Sequence, residues 1–344
     1  MTSVHPVVHL LAQDNPQPGE VRAQVTALPE LALIQFQGAD AVTFLQGQTT
    51  NDMMLATPSQ SRLAGYCTAQ GRLLASAVFW QATQVPEGMT TVIALLQKDI
   101  VASTQQRLSM FVLRAKVKIQ PLEGLAPVGV TVLSAALNAL EKRLGHTLPT
   151  QTWEVVQAMT GTWIGAPRED ASSHRFWWIA GQDNASSISE LEGLFVESST
   201  GQWQAADVRA GLPWITAATR DLFIPQTLNL DLIEGVSFTK GCYPGQEVVA
   251  RSHYRGTLKR RMAMGWTTAQ EVAPASDIVA SSDLEHPCGR VINQSWDGSK
   301  QWLLFECTFD ALSRGELQLA GEAGDPVNLL SLPYPVPQPG QSLR

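Results

Sequence analysis

The sequence has no run of about 18 uninterrupted apolar residues, so no segment reads as a membrane span. Its first stretch carries two His and no Lys or Arg before Arg22. A secretory leader needs a basic start and a long apolar segment, and neither is present, so the expected compartment is the cytoplasm. Cysteine is scarce: Cys67, Cys242, Cys288 and Cys307. None stands in a C-x-x-C pair and none has a His three to five residues away, so the spacing shows no zinc or cluster pattern and no metal is expected. In a reducing compartment Cys67, Cys288 and Cys307 read as free, buried thiols. A G-x-S-x-G elbow, a G-x-G-x-x-G fingerprint and a Walker A loop are all missing, which removes the usual serine hydrolase, dinucleotide and P-loop readings. Charged residues are few, at 16%, with a net charge of −7 and a pI near 5.4. An acidic chain does not grip a phosphate backbone over its whole surface; a nucleic acid would need a local basic patch.

What is present is apolar and ordered in pattern. The 344 residues, 44% of them hydrophobic, suit two or three cored domains. Residues 1–28 read as a loose arm rich in Pro, Gln and Ala. Leu31–Phe36, Leu63–Thr68, Leu73–Trp80 and Thr91–Leu96 read as strands, with Gly71 turning the chain between the second and third. Asp40 reads as an N-cap for a helix from Ala41 to Gln46, and Asp99–Met110 as a second helix. Val112–Ile119 alternates like a half-buried strand. Val128–Leu133 and Ala135–Leu144 repeat strand then helix, which points to α+β layers. Past Arg261 the strands Arg261–Thr267, Gly289–Asn293 and Trp302–Thr308 follow one another with no helix expected, the mark of a small β module. The expected division is 1–28 arm, 29–256 two interleaved α+β subdomains, 257–334 β-barrel and 335–344 extended, solvated tail.

The segment Phe238–Arg251 (FTKGCYPGQEVVAR) holds the most chemistry. Gly241 and Gly245 flank Cys-Tyr-Pro, which allows a tight turn with Cys242 at its tip. Lys240, Arg251, Arg255, Lys259, Arg260 and Arg261 gather around it with Glu247 as the single acid between 240 and 261. Positive charge lowers a thiol's pKa, so Cys242 reads either as a reactive thiol or as a packed turn residue. The same cations read either as a solvated face or as a seat for an anionic ligand tail or a nucleic-acid phosphate. Trp203 opens a predicted helix reaching Ala210-Gly211 and reads as a core anchor or as a flat wall for a planar heterocycle. His253 is eleven residues beyond Cys242, and sequence distance alone does not pair them.

Lys240-Gly241-Cys242-Tyr243-Pro244-Gly245-Gln246-Glu247, followed by Ala250-Arg251 and Arg255-Gly256, resembles the K-G-C-[FY]-x-G-Q-E signature of the YgfZ family. Phe36-Gln37-Gly38-Ala39-Asp40 with Phe44-Leu45-Gln46-Gly47-Gln48 is similar to that family's G-x-D…Q-G-Q element. Arg209–Pro213 and Ile224-Pro225-Gln226 resemble the lead into the signature, and the likeness runs from about residue 28 to 334. The resemblance implies the fold of the glycine cleavage T-protein: two α+β subdomains and a C-terminal β-barrel in a ring around a tetrahydrofolate pocket. It implies Trp203 as a folate contact and Cys242 as the functional thiol, with Lys240, Gly241, Tyr243, Gly245, Gln246, Glu247 and Arg251 as the signature loop. A second family aromatic falls at Leu31. The implied function is folate-binding support for assembly or repair of iron–sulfur enzymes, including those that thiomethylate tRNA, with such enzymes or cluster-assembly proteins as partners. Two alternatives are a folate-dependent aminomethyltransferase and a tRNA-binding adaptor using Arg251–Arg261. Against the first, T-proteins resemble each other in a G-G-x-x-D-D element, whereas Gly71-Arg72-Leu73-Leu74-Ala75-Ser76 stands here with no carboxylate.

Overall fold

The fold is given by a computed structural model that describes residues 23–83, 85–181, 191, 193–255, 258–321 and 324–338. The chain divides into two compact units. The first comprises the chain up to Phe44, Met54–Arg62 and Val78–Trp203; the second comprises Leu45–Met53, Leu63–Ala77 and the chain from Gln204 onward.

In the first unit a six-stranded sheet is built from β1 (Ala23–Ala27), β7 (Leu125–Leu133), β8 (Val155–Ala158), β9 (Gly161–Gly165), β10 (Ser173–Gly181) and β11 (Phe195–Glu197), in the order β11-β1-β7-β10-β9-β8. β1 runs parallel to β11 and antiparallel to β7. The loose arm expected over 1–28 is thus corrected at its end. Ala23 and Val25 are fully buried strand residues, and 1–22 lie outside the described residues. One sheet face follows the two-residue period of a strand: Val128, Val130 and Val132 lie beside Phe176, Trp178 and Ala180. Helix α3 (Leu137–Leu144) covers that face with Leu137, Leu140 and Leu144, and Gly145 in the left-handed region ends it.

The same unit holds β2 (Leu31–Gly38) between β5 (Thr90–Gln97) and β6 (Lys118–Pro121), antiparallel to both. Helix α2 (Val101–Ser109) follows a 3-10 turn, and Gln105 Nε2 ties it to Ile119 O at 3.1 Å. The strand expected over Val112–Ile119 is corrected to Lys118–Pro121. Before it, Asp40 Oδ2 accepts Lys116 N–H at 2.7 Å and Asp40 N–H donates to Lys116 O at 3.3 Å. Backbone groups satisfied by a turn have no need of a strand ladder. Asp40 therefore pins a remote bend as well as opening helix α1 (Ala41–Gln46), where its carbonyl accepts Phe44 N–H.

The second unit contains β3 (Arg62–Cys67) from Leu63 on, the first half of β4 (Leu73–Gln81), and a closed barrel. The barrel strands are β12 (Arg260–Thr267), β13 (Asp277–Ala280), β14 (Asp283–Trp296), β15 (Gln301–Thr308), β16 (Leu317–Leu319) and β17 (Pro326–Leu330), ordered β12-β15-β14-β13-β16-β17. Leu303, Phe305 and Cys307 point into its core from alternate positions of β15 and meet Ile278, Val291 and Val327. The expectation of no helix in this region is corrected by α6 (Phe309–Arg314). Thr308 Oγ1 caps it by accepting Ala311 N–H, and Gly315 at φ 75° ends it. Residues 256–257, where the domain boundary was expected, lie outside the described residues. Of the expected tail, 335–338 are described; just before them Tyr334 is packed, its hydroxyl donating to Gly211 O at 2.9 Å.

Candidate functional site

The second unit brings the signature loop onto the segment Gln46–Asn51. Lys240 is only 8% exposed. Its ammonium donates to Gln46 O at 2.6 Å, Thr49 O at 2.7 Å and Asn51 O at 2.9 Å. All three protons of the head group are used, so Lys240 anchors the loop and is not spare charge for a ligand. Burial pulls its pKa down to about 8, opposed by the carboxylate of Asp52. The receiving segment is itself held. Asn51 Nδ2 donates to Glu234 O and Leu63 O, while Thr50 Oγ1 donates to Gly235 O and accepts Gly65 N–H. This is the work done by the Gln46-Gly47-Gln48-Thr49-Thr50-Asn51 string.

Tyr243 turns inward beside Lys240, with the ammonium 5.2 Å from its ring centroid. Burial, reinforced by Cys67, pushes the phenol's pKa up. Between these two inward anchors Gly241 and Cys242 are exposed. Gly245 takes φ 82°, and a Cβ there would lie 2.5 Å from Thr68 O and 2.6 Å from Gly71 Cα. Gly71, at φ 76°, is the matching close approach, with Val248 3.0 Å from its would-be Cβ. Gly241 differs: open space surrounds it and its φ is ordinary. The loop is therefore closed by Gly245 alone, against the Thr68–Gly71 turn. Helix α5 (Gln246–Arg255) starts at once, with the exposed carboxylate of Glu247 in its positively polarised first turn and Arg251 exposed further along.

The expected basic corner is dispersed. Lys240 is spent on carbonyls, Arg261 is buried and bidentate to Asp231, and Arg260 lies 3.5 Å from Glu306. The side chains of His253 and Arg255 lie outside the described ones. Among the other thiols, Cys67 and Cys307 are buried, and burial pushes both well above the usual thiol range. Cys288 is partly exposed, with its Sγ 3.9 Å from Cys307 Sγ. Among the described residues no three His, Cys, Asp or Glu side chains gather as metal ligands.

Trp203 lies in the first unit, at the start of helix α4 (Thr200–Arg209), and is 3% exposed. Its ring rests on Gly129, where a Cβ would come within 2.5 Å, and Arg175 lies 4.0 Å from the ring centroid. Arg175 also donates to Trp203 O at 3.0 Å. The indole is thus a packed anchor whose ring is covered. Its Nε1 is buried with no partner in the protein, a donor open to an acceptor. Leu31, at the position of the second family aromatic, is buried in β2.

The stretch Leu73–Ser76 is buried in β4, and Ser76 Oγ serves the backbone by donating to Pro213 O and accepting Ile215 N–H. No general base stands there. A cleft of about 610 Å³, which the sequence did not signal, opens in the second unit between β12, α6 and the segment Leu330–Gln338.

No family model matches the chain. The tRNA-modifying protein YgfZ of Yersinia pestis (strain Pestoides F) is 32% identical over 266 residues, covering 76% of this chain and 75% of that protein. The chain belongs to the YgfZ family. The YgfZ protein of Yersinia pseudotuberculosis serotype O:3 (strain YPIII) matches with the same figures. Among solved structures, the glycine cleavage system aminomethyltransferase T from Bartonella henselae superposes with a TM-score of 0.65. The match covers 91% of this chain and 86% of that one at 12% identity. At that identity the likeness shows the fold alone: a T-protein fold, mixed α and β, with a closed six-stranded barrel at the C-terminal end. Among the described residues no helix is long and apolar enough to cross a membrane.

Proposed function

We propose that this protein is a cytoplasmic, folate-binding accessory factor for the assembly or repair of iron–sulfur enzymes, among them enzymes that thiomethylate tRNA. Membership of a family whose relatives are named tRNA-modifying proteins supports the tRNA side of the reading. The observation that carries it is Cys242, an exposed thiol held between two buried anchors, Lys240 and Tyr243. A loop built at such cost around a solvent-facing sulfur serves chemistry or partner contact, since packing alone would bury it.

Tetrahydrofolate is the proposed ligand, with Trp203 as its contact. The unpartnered Nε1 fits a ligand acceptor, whereas the covered ring does not fit a stacking wall unless Arg175 gives way. Tetrahydrofolate binding measured by calorimetry tests this, with folded Trp203→Phe, which lacks the Nε1 donor, expected to lose about 1 kcal/mol of affinity. Equal affinity in the variant removes Trp203 from the site. Aminomethyl transfer is disfavoured, because Ala75 and Ser76 are buried and neutral where a carboxylate would be needed. The test of the whole reading is a strain lacking the gene, assayed for tRNA thiomethylation and glycine cleavage side by side. Loss of the first with the second intact is expected.

A further inference from the structure

The loop after helix α2 gathers three large exposed apolar side chains within four residues. Met110 is 62% exposed, Phe111 45% and Leu113 86%. Phe111 is the only exposed Phe, Tyr or Trp among the described side chains, in a chain with 24 aromatic residues. From Arg107 to Lys118 the sequence carries four cations and no acid, although the chain as a whole is at −7. Arg114, Lys116 and Lys118 are exposed, and Arg107 Nε finds no partner in the protein.

The loop is held rigidly at its base by the Gly38-Ala39-Asp40 element. Asp40 takes the Lys116 N–H, and a Cβ at Gly38, whose φ is 151°, would fall 1.9 Å from Lys116 O. Gln105 pins the chain just beyond it at Ile119 O. Apolar exposure on a fixed loop, ringed by uncompensated cations, marks a contact surface for an anionic partner with flat apolar faces. Unpaired RNA bases offer both the flat face and the phosphate. Phe111, with about half its surface covered, is backed by the protein and open to one partner, as a stacking platform requires.

We propose that Met110–Lys118 is an RNA-docking surface on which Phe111 stacks an unpaired base while Arg114, Lys116 and Lys118 meet the phosphates. This deepens the tRNA-modification reading and rests on it. It moves the RNA contact away from Arg251–Arg261, where Arg260 and Arg261 already face carboxylates.

The test is fluorescence anisotropy with an unmodified tRNA transcript, a single-stranded oligonucleotide and an RNA duplex of equal charge, over a salt series. Phe111→Ser should weaken tRNA and single-strand binding roughly 5- to 100-fold, and duplex binding little. Arg114→Glu with Lys116→Glu should lower the slope of log K against log salt by about 1.4, two phosphate contacts. Both changes are exposed, so circular dichroism and Cys242 alkylation should match wild type. Equal affinity and slope in both variants overturns the proposal. So does binding to anionic phosphatidylglycerol vesicles with none to RNA, which would make the loop a membrane contact. Failure is separable from failure of the parent reading. If Cys242→Ser abolishes tRNA thiomethylation while the loop variants restore it with unchanged tRNA affinity, only the RNA surface falls.

Discussion

Replacing Lys240 by Met removes one ammonium and leaves three carbonyl oxygens, of Gln46, Thr49 and Asn51, facing a thioether. A hydrogen bond to a charged group contributes about 1.5–3 kcal/mol net. Leaving the three buried carbonyls without a donor costs about 1–3 kcal/mol each, and release of the buried ammonium, whose pKa falls from 10.5 to about 8, offsets part of that sum. The expected net loss is on the order of 2–4 kcal/mol, measured by urea denaturation at neutral pH. Arginine should not rescue, because a planar guanidinium cannot aim its donors at three converging acceptors. Because Lys240 is two residues from Cys242, the loop should also loosen. The rate of Cys242 alkylation in Lys240→Met should change while Cys67 stays protected. A variant within about 0.5 kcal/mol of wild type, with unchanged Cys242 reactivity, would refute the anchoring argument.

Three further outcomes follow from the same geometry. Lys240 has its folded pKa below its unfolded one, so from about pH 8 to 10.5 the unfolded chain binds more protons and stability rises with pH. Denaturation at the two ends of that window should show the rise in wild type and its absence in Lys240→Met; parallel curves would contradict it. Gly245→Ala should destabilise by about 2 kcal/mol or more through its φ of 82° and the 2.5 Å approach to Thr68 O, while Gly241→Ala should be near neutral. Similar losses at both glycines would place the turn elsewhere. Iodoacetamide followed by peptide mass mapping should label exposed Cys242 first, partly exposed Cys288 next, and buried Cys67 and Cys307 last; equal labelling would mean the loop is not formed as described.

The strands β2, β4 and β5 were legible because each is an apolar run bounded by turn residues, and α1 because Asp40 announces it. Val112–Ile119 misled, since its alternation is real but its backbone is claimed by Gly38 and Asp40, about 76 residues away in the chain. Helix α6 was hidden because its cap, Thr308, is also the last residue of β15 and only six residues follow. At the candidate site, the octapeptide pointed to the loop but not to its mechanics. Lys240 and its three acceptors are 189 to 194 residues apart, so nothing local could show that its charge is spent. The cation covering Trp203 comes from Arg175, a residue that no motif singles out. Cys242 was legible as a loop thiol, and the two inward anchors that expose it were not.

The exposed thiol of Cys242 is the centre of the proposed function. In a strain lacking the gene, plasmids carrying the wild type, Cys242→Ser and Cys288→Ser should be compared for thiomethylated tRNA by mass spectrometry of nucleosides. Each variant is first shown to be folded by circular dichroism. Wild type and Cys288→Ser should restore the modified nucleoside, and folded Cys242→Ser should fail to do so. Full restoration by folded Cys242→Ser would show that the exposed sulfur is dispensable and contradict the proposed function at its centre.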